Sequence, residues 1–183
     1  MARRQTPPPG RLVISIIFSS IDALADALKV LERHFGRVQY ETIETSYTTD
    51  TYSEEMGDSL QRRFFSFEKP VERDRLPQIK ATCMKIEKQF GDHVDDFTFR
   101  TVNLDPGILT PDNLVMASTR EYNHRIYLSD GVFADLVLVY AKGRFVRMPW
   151  THSDYYHGEA IEFFLRVRES FDLMGESAQS RAG

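Results

Sequence analysis

At 183 residues, 42% of them hydrophobic, the chain has the length of a single domain and enough apolar side chain to build a core, which excludes wholesale disorder. Twenty-three basic against 27 acidic residues leave a formal charge of −4, and no basic stripe stands out, so composition argues against a nucleic-acid reader. One cysteine, Cys83, excludes an internal disulfide framework and any multi-thiolate metal site.

Residues 1–10 read as a flexible leader. Pro7-Pro8-Pro9 separates Arg3 and Arg4 from the apolar run that starts at Leu12, and that run is far shorter than the roughly 20 apolar residues of a membrane span. No other segment comes close, so a cytoplasmic protein without membrane contact is expected. A single α+β domain is expected over 11–174, with a disordered tail over 175–183.

Residues 11–19 are continuous, β-branched and apolar, as in a strand covered on both faces. Ser19 or Ser20 can cap the next helix, in which Leu24, Leu28, Leu31 and Phe35 share a face and Gly36 marks the end. An extended run over 37–47 completes a strand–helix–strand opening. Residues 48–61, with Asp50, Glu54, Glu55 and Asp58 around Met56-Gly57, suggest a loop and a short helix. Arg62 to Lys69, rich in phenylalanine, reads as a strand. A second main helix starts near Leu76 with Pro77 in its first turn, where a missing N–H costs nothing. Its stripe is Ile79, Cys83, Ile86 and Phe90, which makes Cys83 a packing residue.

From Phe97 the pattern becomes a largely antiparallel sheet: a strand over 97–103, a turn at Asp105-Pro106-Gly107, and a strand over 114–118. A meander follows, with strands at 124–128, 132–140 and 144–150. A third main helix runs from about Ser153 to Met174 with Ile161, Phe164, Leu165 and Phe171 inward. Three-residue loops at Ser129-Asp130-Gly131 and Ala141-Lys142-Gly143 pair Leu128 with Val132 and Tyr140 with Arg144. Arg125 then lies opposite Asp135, and Val137 opposite Arg147. One face carries Ile126, Leu128, Ala134, Leu136, Leu138, Val146 and Met148 as a core face. The other holds Asp135 in an ion-pair cluster with Arg125 and Arg147. A two-residue Asp130-Gly131 turn would instead set Asp135 against Ile126. A structural cross-strand pair contributes only about 0.2–1 kcal/mol, whereas charges held among apolar side chains often mark a site.

The chain contains no phosphate loop of the Gly-x-x-x-x-Gly-Lys-Ser/Thr type, no Gly-x-Gly-x-x-Gly after the first strand, no His-Glu-x-x-His and no Gly-x-Ser-x-Gly. No metal site is assigned among its five scattered histidines; His152, beside Asp154 at the start of the last helix, reads as a surface neighbour of a helix cap. Three polar segments could carry chemistry. Arg100 through Gly107 includes Asn103 and Asp105; Ser118 through Arg125 includes Thr119, Arg120 and His124; Gln61-Arg62-Arg63, with Lys80 nearby in sequence order, is by itself only a charged surface. Arginine and lysine suit an oxyanion. His124 and Asp105 are the candidate acid and base.

Several stretches together resemble the bacterial and archaeal family known as Domain of Unknown Function 4416. They are Glu55-Met56-Gly57 with Leu60, Arg62 with Ser66-Phe67-Glu68, Ile79-Lys80 with Ile86-Glu87, Arg100 with Val102-Asn103-Leu104-Asp105-Pro106-Gly107, Ala117-Ser118-Thr119, His124-Arg125-Ile126-Tyr127-Leu128 and Trp150-Thr151 with Asp154-Tyr155. The resemblance spans about residues 11–172 and implies a small cytoplasmic protein. Some members carry a GTP-binding label, but this chain lacks the phosphate loop such a label ordinarily needs. Asp135 replaces the family's usual glutamate and Arg120 its usual lysine, both keeping charge, while His152-Ser153 stands where Tyr-Pro is usual. Two functions are therefore expected as alternatives. One is a pocket for a small anionic, nucleotide or phosphorylated ligand, lined by Arg62, Lys80, Arg100, Asn103, Ser118, Thr119, Arg120 and Arg125 with His124 and Asp105. The other is a non-catalytic interaction or homodimerisation module using an aromatic face at Tyr127, Phe133 and Phe145. The sequence leaves any cofactor unknown.

Overall fold

The computed structural model describes residues 5–48, 52–94 and 97–180; Asp50 and residues 1–4 and 181–183 of the expected leader and tail lie outside them. Strand β1 (Gly10–Phe18) is buried along its whole length and forms the centre of the sheet. Helix α1 (Ile21–Phe35) follows, its N-cap Ser20 accepting from the Ala23 N–H and its end marked by Gly36 at φ 90°. The extended run beyond it divides into β2 (Val38–Glu41) and β3 (Thr45–Tyr47). A four-residue helix α2 (Ser53–Met56) leads to the long strand β4 (Leu60–Val71). Helix α3 (Leu76–Glu87) begins with Leu76-Pro77 and buries Ile79, Cys83 and Ile86 as expected.

Three layers result. Both β1 and β2 run antiparallel to β4, so the opening strand–helix–strand unit is split, with β4 inserted between its two strands. Leu12, Ile14, Ile16 and Phe18 of β1 pack beneath α1 and α3. Val13, on the opposite face, packs toward the last helix. That alternation follows from the two-residue period of a strand.

After α3 the chain makes a two-stranded ribbon, β5 (Gly91–Val94) with β6 (Phe97–Arg100). It breaks at Thr101 and re-enters the main sheet as β7 (Val102–Leu109), antiparallel to β1. The expected single strand over 97–103 is thus two strands in two sheets. Next come β8 (Asn113–Ser118), β9 (Ile126–Ser129), β10 (Val132–Ala141) and β11 (Arg144–Arg147). Helix α4 (Gly158–Ser180) extends six residues' worth of backbone past the expected end near Met174 and buries Ala160, Phe163, Phe164 and Val167. The main sheet runs β11-β10-β8-β7-β1-β4-β2, with β3 also on β4 and β9 also on β10. The fold is α+β: three main helices on one mostly antiparallel sheet. Among the described residues, no helix is long and apolar enough to cross a membrane.

Two expectations about local geometry fail. Asp105-Pro106-Gly107 is no turn; it lies within β7. The Leu104 N–H donates to Glu87 and the Leu104 carbonyl accepts from Lys80, so this backbone edge faces α3 rather than β1. Strand alternation points the nitrogen of Pro106 the same way. Without an N–H, Pro106 cannot extend the β7–β8 ladder, which begins only at Gly107 paired with Met116. Gly107 is needed for closeness rather than for a left-handed backbone: a Cβ there would lie 2.3 Å from Met116 Sδ and 2.9 Å from the Val115 carbonyl oxygen.

The meander also differs. Asp130 and Gly131 have φ of 53° and 73°, and Lys142 and Gly143 have 53° and 78°. Both loops are therefore two-residue turns with left-handed backbone, whose twist suits a hairpin. Ser129 pairs with Val132, then a bulge at Leu128 resets the register to Tyr127 with Phe133 and Ile126 with Ala134. The bulge recovers the expected juxtaposition of Arg125 and Asp135. The second hairpin has no such correction, so Tyr140 pairs with Phe145 and Leu138 with Arg147. Arg147 consequently leaves the cluster; its guanidinium donates to the Tyr156 hydroxyl and stacks on that ring. The expected core face also dissolves. Ile126 is 70% exposed and Leu128 and Val146 are exposed, whereas a bulge at Leu136–Leu138 buries both Val137 and Leu138. Phe145 is buried against α4, so it does not share a face with exposed Tyr127.

Candidate functional site

On the Pro106 side of Gly107, β7 and β8 are no longer paired, which leaves an opening in the sheet. Lys80 enters it from α3. Its Nζ donates to the Leu104 carbonyl and to Asp105 Oδ1, both at 3.0 Å. Asp105 Oδ2 accepts from Asn103 Nδ2 at 2.7 Å, since residues 103 and 105 share a strand face. Glu87, two helical turns after Lys80, accepts from the Leu104 N–H at 2.5 Å and lies 3.6 Å from Arg100. Helix α3 thus supplies the partners that β8 would have offered the β7 backbone.

These contacts set the charges. Burial alone would raise the Asp105 pKa, but Lys80, through its charge and hydrogen bond, together with Arg62 and Asn103, holds it below the ordinary carboxylate value. Burial likewise opposes the Lys80 ammonium, and Asp105 and Glu87 outweigh it, so Lys80 stays firmly protonated. For Glu87, burial prevails over the attraction of Lys80 and raises its pKa. Asp105 is therefore a fixed anion bound to Lys80. That position suits it poorly to the acid or base role expected of it, because its proton affinity is depressed. Cys83 is fully buried with its thiol pKa raised by desolvation, as a packing residue should be.

On β4, buried Arg62 donates to Asp154 Oδ2 at 2.6 Å and lies 4.1 Å from the centre of the Tyr47 ring. Arg100 donates to Glu55 at 2.8 Å and sits over Tyr52. Opposite these, the β8–β9 connection is organised by Ser118 and Arg125. The Ser118 hydroxyl accepts from the Arg120 N–H and from Arg125 NH1 at 2.7 Å, and Arg125 NH1 also reaches the Arg120 carbonyl. Arg125 Nε donates to Asp135 Oδ2 at 2.8 Å. His124 Nε2 is 3.6 Å from that same oxygen, and its ring stacks on Trp150 at 4.6 Å.

Trp150 and Thr151 fill a second opening. Strands β9 and β11 cover the two ends of β10 but not its middle. There Trp150 Nε1 donates to the Leu136 carbonyl at 2.9 Å and the Thr151 hydroxyl to the Val137 carbonyl at 2.5 Å. Side chains thus complete an edge that no strand pairs, as buried backbone acceptors require.

The two openings border one cavity of about 580 Å³, within the range of small-molecule sites. Every residue expected at a ligand or catalytic position borders it: Arg62, Lys80, Arg100, Asn103, Asp105, Ser118, Thr119, Arg120, His124 and Arg125, together with Asp135. Arg147 does not. Sequence reasoning missed Tyr47, Tyr52, Glu87, Tyr122, Trp150, Thr151 and Tyr155, which also line it. Glu87 was detectable, because Lys80 and Glu87 stand seven residues apart on an otherwise apolar helix stripe. Tyr47 and Tyr52 came from segments with no local mark of a site, whereas Tyr122 lies within the polar segment 118–125 and Tyr155 directly follows Asp154. His152 borders the mouth and is exposed.

Four of the five cations in the lining already face carboxylates: Arg62 with Asp154, Lys80 with Asp105, Arg100 with Glu55 and Glu87, Arg125 with Asp135. Arg120 is exposed and has no carboxylate within ion-pair distance among the described residues. Two wall atoms, Asp135 Oδ1 and Arg62 Nε, are sealed from solvent without a hydrogen-bond partner. Among the described residues no group of three or more histidine, cysteine, aspartate or glutamate side chains could hold a metal ion.

A family model described as Domain of unknown function (DUF4416) matches residues 8–171, and the chain belongs to that family. No curated protein and no solved structure matches it.

Proposed function

We propose that this member of the DUF4416 family binds a small anionic ligand in the cavity between β7, β8 and the Trp150–Thr151 segment. The supporting observation is Arg120, which borders the cavity with no carboxylate partner among the described residues, beside a wall that gathers four further cations. Oxyanions suit that geometry. His124, held flat against Trp150 and near Asp135, is the side chain placed to give or take a proton should bound ligand react. Asp105 serves instead to anchor Lys80. The single buried thiol fits a cytoplasmic setting.

The test is the melting temperature of the full chain with nucleotides, sugar phosphates and carboxylates, each with and without Mg²⁺. A ligand at about 100 times its Kd adds roughly 2.7 kcal/mol, a rise of roughly 5–11 °C for this length. The rise should fall to about half or less in Arg120→Ala, where binding weakens about tenfold or more, and shrink in His124→Ala. A flat panel would remove the reading and favour the alternative, in which exposed Tyr127, edge-to-face with Phe133 at 5.4 Å, meets a partner or a second copy. Sedimentation of wild type and Tyr127→Ser would then show whether that face joins two copies.

A further inference from the structure

Building on the ligand site proposed above, we infer that its ligand carries one anionic group, a single phosphate or carboxylate, on a ring-bearing body, and is not a polyphosphate. The charge pattern of the cavity leads there. Arg62, Lys80, Arg100 and Arg125 each spend their charge on a carboxylate at 2.6–3.0 Å. Of those carboxylates, Asp105 and Asp135 themselves line the cavity, as does Glu87. A chain of phosphates would have to strip these arginines and Lys80 from their partners and lie beside the anions left behind, which is costly where the groups are buried. Among the described residues, Arg120 is the one lining cation without a carboxylate partner, and one planar guanidinium matches one oxyanion through two parallel hydrogen bonds. Its backbone is held for this by Ser118 and by Arg125 at the Arg120 carbonyl.

The body of the ligand is read from the rings next to Arg120. Trp150 is held by its own hydrogen bond to Leu136 and by the His124 stack, and Tyr122, 64% exposed, is tilted over the same imidazole. These rings form a rigid aromatic corner beside Arg120, against which a sugar or base ring can lie.

Isothermal titration calorimetry of the full chain distinguishes the sources. The titrants are four nucleoside 5′-monophosphates, the matching triphosphates with and without Mg²⁺, glucose 6-phosphate, glucuronate and inorganic phosphate. At least one singly anionic ring compound should bind, its triphosphate counterpart no tighter, and inorganic phosphate at least about tenfold weaker. Arg120→Ala should weaken binding by about tenfold or more, the loss of one charge-assisted contact. Arg120→Lys should recover part of it. Because Arg120 is exposed and makes no ion pair among the described residues, both variants should fold. Affinity that climbs from mono- to triphosphate would overturn the inference while leaving an anion site standing. So would inorganic phosphate binding as tightly as the ring compounds, or an unchanged Kd in Arg120→Ala. Silence across the whole panel would overturn the anion site and this inference together.

Discussion

Asparagine in place of Asp105 is nearly isosteric, yet it removes the arrangement that floors the cavity. The carboxylate accepts from Lys80 on one oxygen and from Asn103 on the other. An amide has a single acceptor, so its nitrogen must face one of those two donors. Lys80 is 8% exposed at its side chain and Asp105 27%. Breaking a buried pair costs about 3–5 kcal/mol. The lower end applies, because Lys80 keeps the Leu104 carbonyl and the nearby Glu87, and Asp105 is partly open to water. A loss of about 3 kcal/mol lowers Tm by roughly 6–12 °C at 2–4 °C per kcal/mol for this length. Urea unfolding of both proteins as a function of pH provides the assay. With its folded pKa depressed, the Asp105 contribution is complete above the unfolded value near 3.9 and is lost as pH falls through the folded one. The gap between the two proteins should therefore stay level from about pH 5 to 8 and narrow below about pH 4. A loss under about 1 kcal/mol at neutral pH, or a gap that widens in acid, would refute the reasoning.

Glu87→Gln should act with the opposite sign. Because burial raises the Glu87 pKa, the native protein is penalised as pH rises from about 4.3 through the folded value. The variant should melt higher than wild type at pH 7 and lose that advantage below about pH 4; a lower Tm at pH 7 would mean that Lys80 and Arg100 outweigh burial. Gly107→Ala places a methyl 2.9 Å from the rigid Val115 carbonyl, so urea denaturation should show a loss of about 1–3 kcal/mol rather than the usual gain on removing glycine. Thr151→Val takes the hydroxyl from the Val137 carbonyl and the Met148 N–H. It should cost about 1–3 kcal/mol by thermal melting, with Thr151→Ser close to wild type.

Local pattern alone was enough for β1, whose unbroken apolar run demands cover on both faces, and for α1, whose cap, stripe and terminal glycine are all adjacent in sequence. It was enough for Cys83, because a helical stripe decides burial before any neighbour is known. The residue types that could bind an anion were also legible, and all those named as binding or catalytic border one cavity. The bulge at Leu128 shows the limit: the wrong loop length and an unforeseen extra residue cancelled, which left Arg125 beside Asp135. In the second hairpin nothing cancelled, and Arg147 and Phe145 went elsewhere.

Asp105-Pro106-Gly107 marks the division most clearly. Proline followed by glycine has the local chemistry of a turn, and nothing within the segment argues otherwise. Only the packed sheet turns Pro106 into the end of a ladder and Gly107 into the place where β8 comes close. The chain's own pattern determined which side chains were polar, which faces were apolar and where helices began. The tertiary structure decided where strand pairing stops. The cavity lies at those stops, because backbone groups left without a neighbouring strand must be met by side chains, here Lys80, Glu87, Trp150 and Thr151, and such side chains converge where a ligand can reach them.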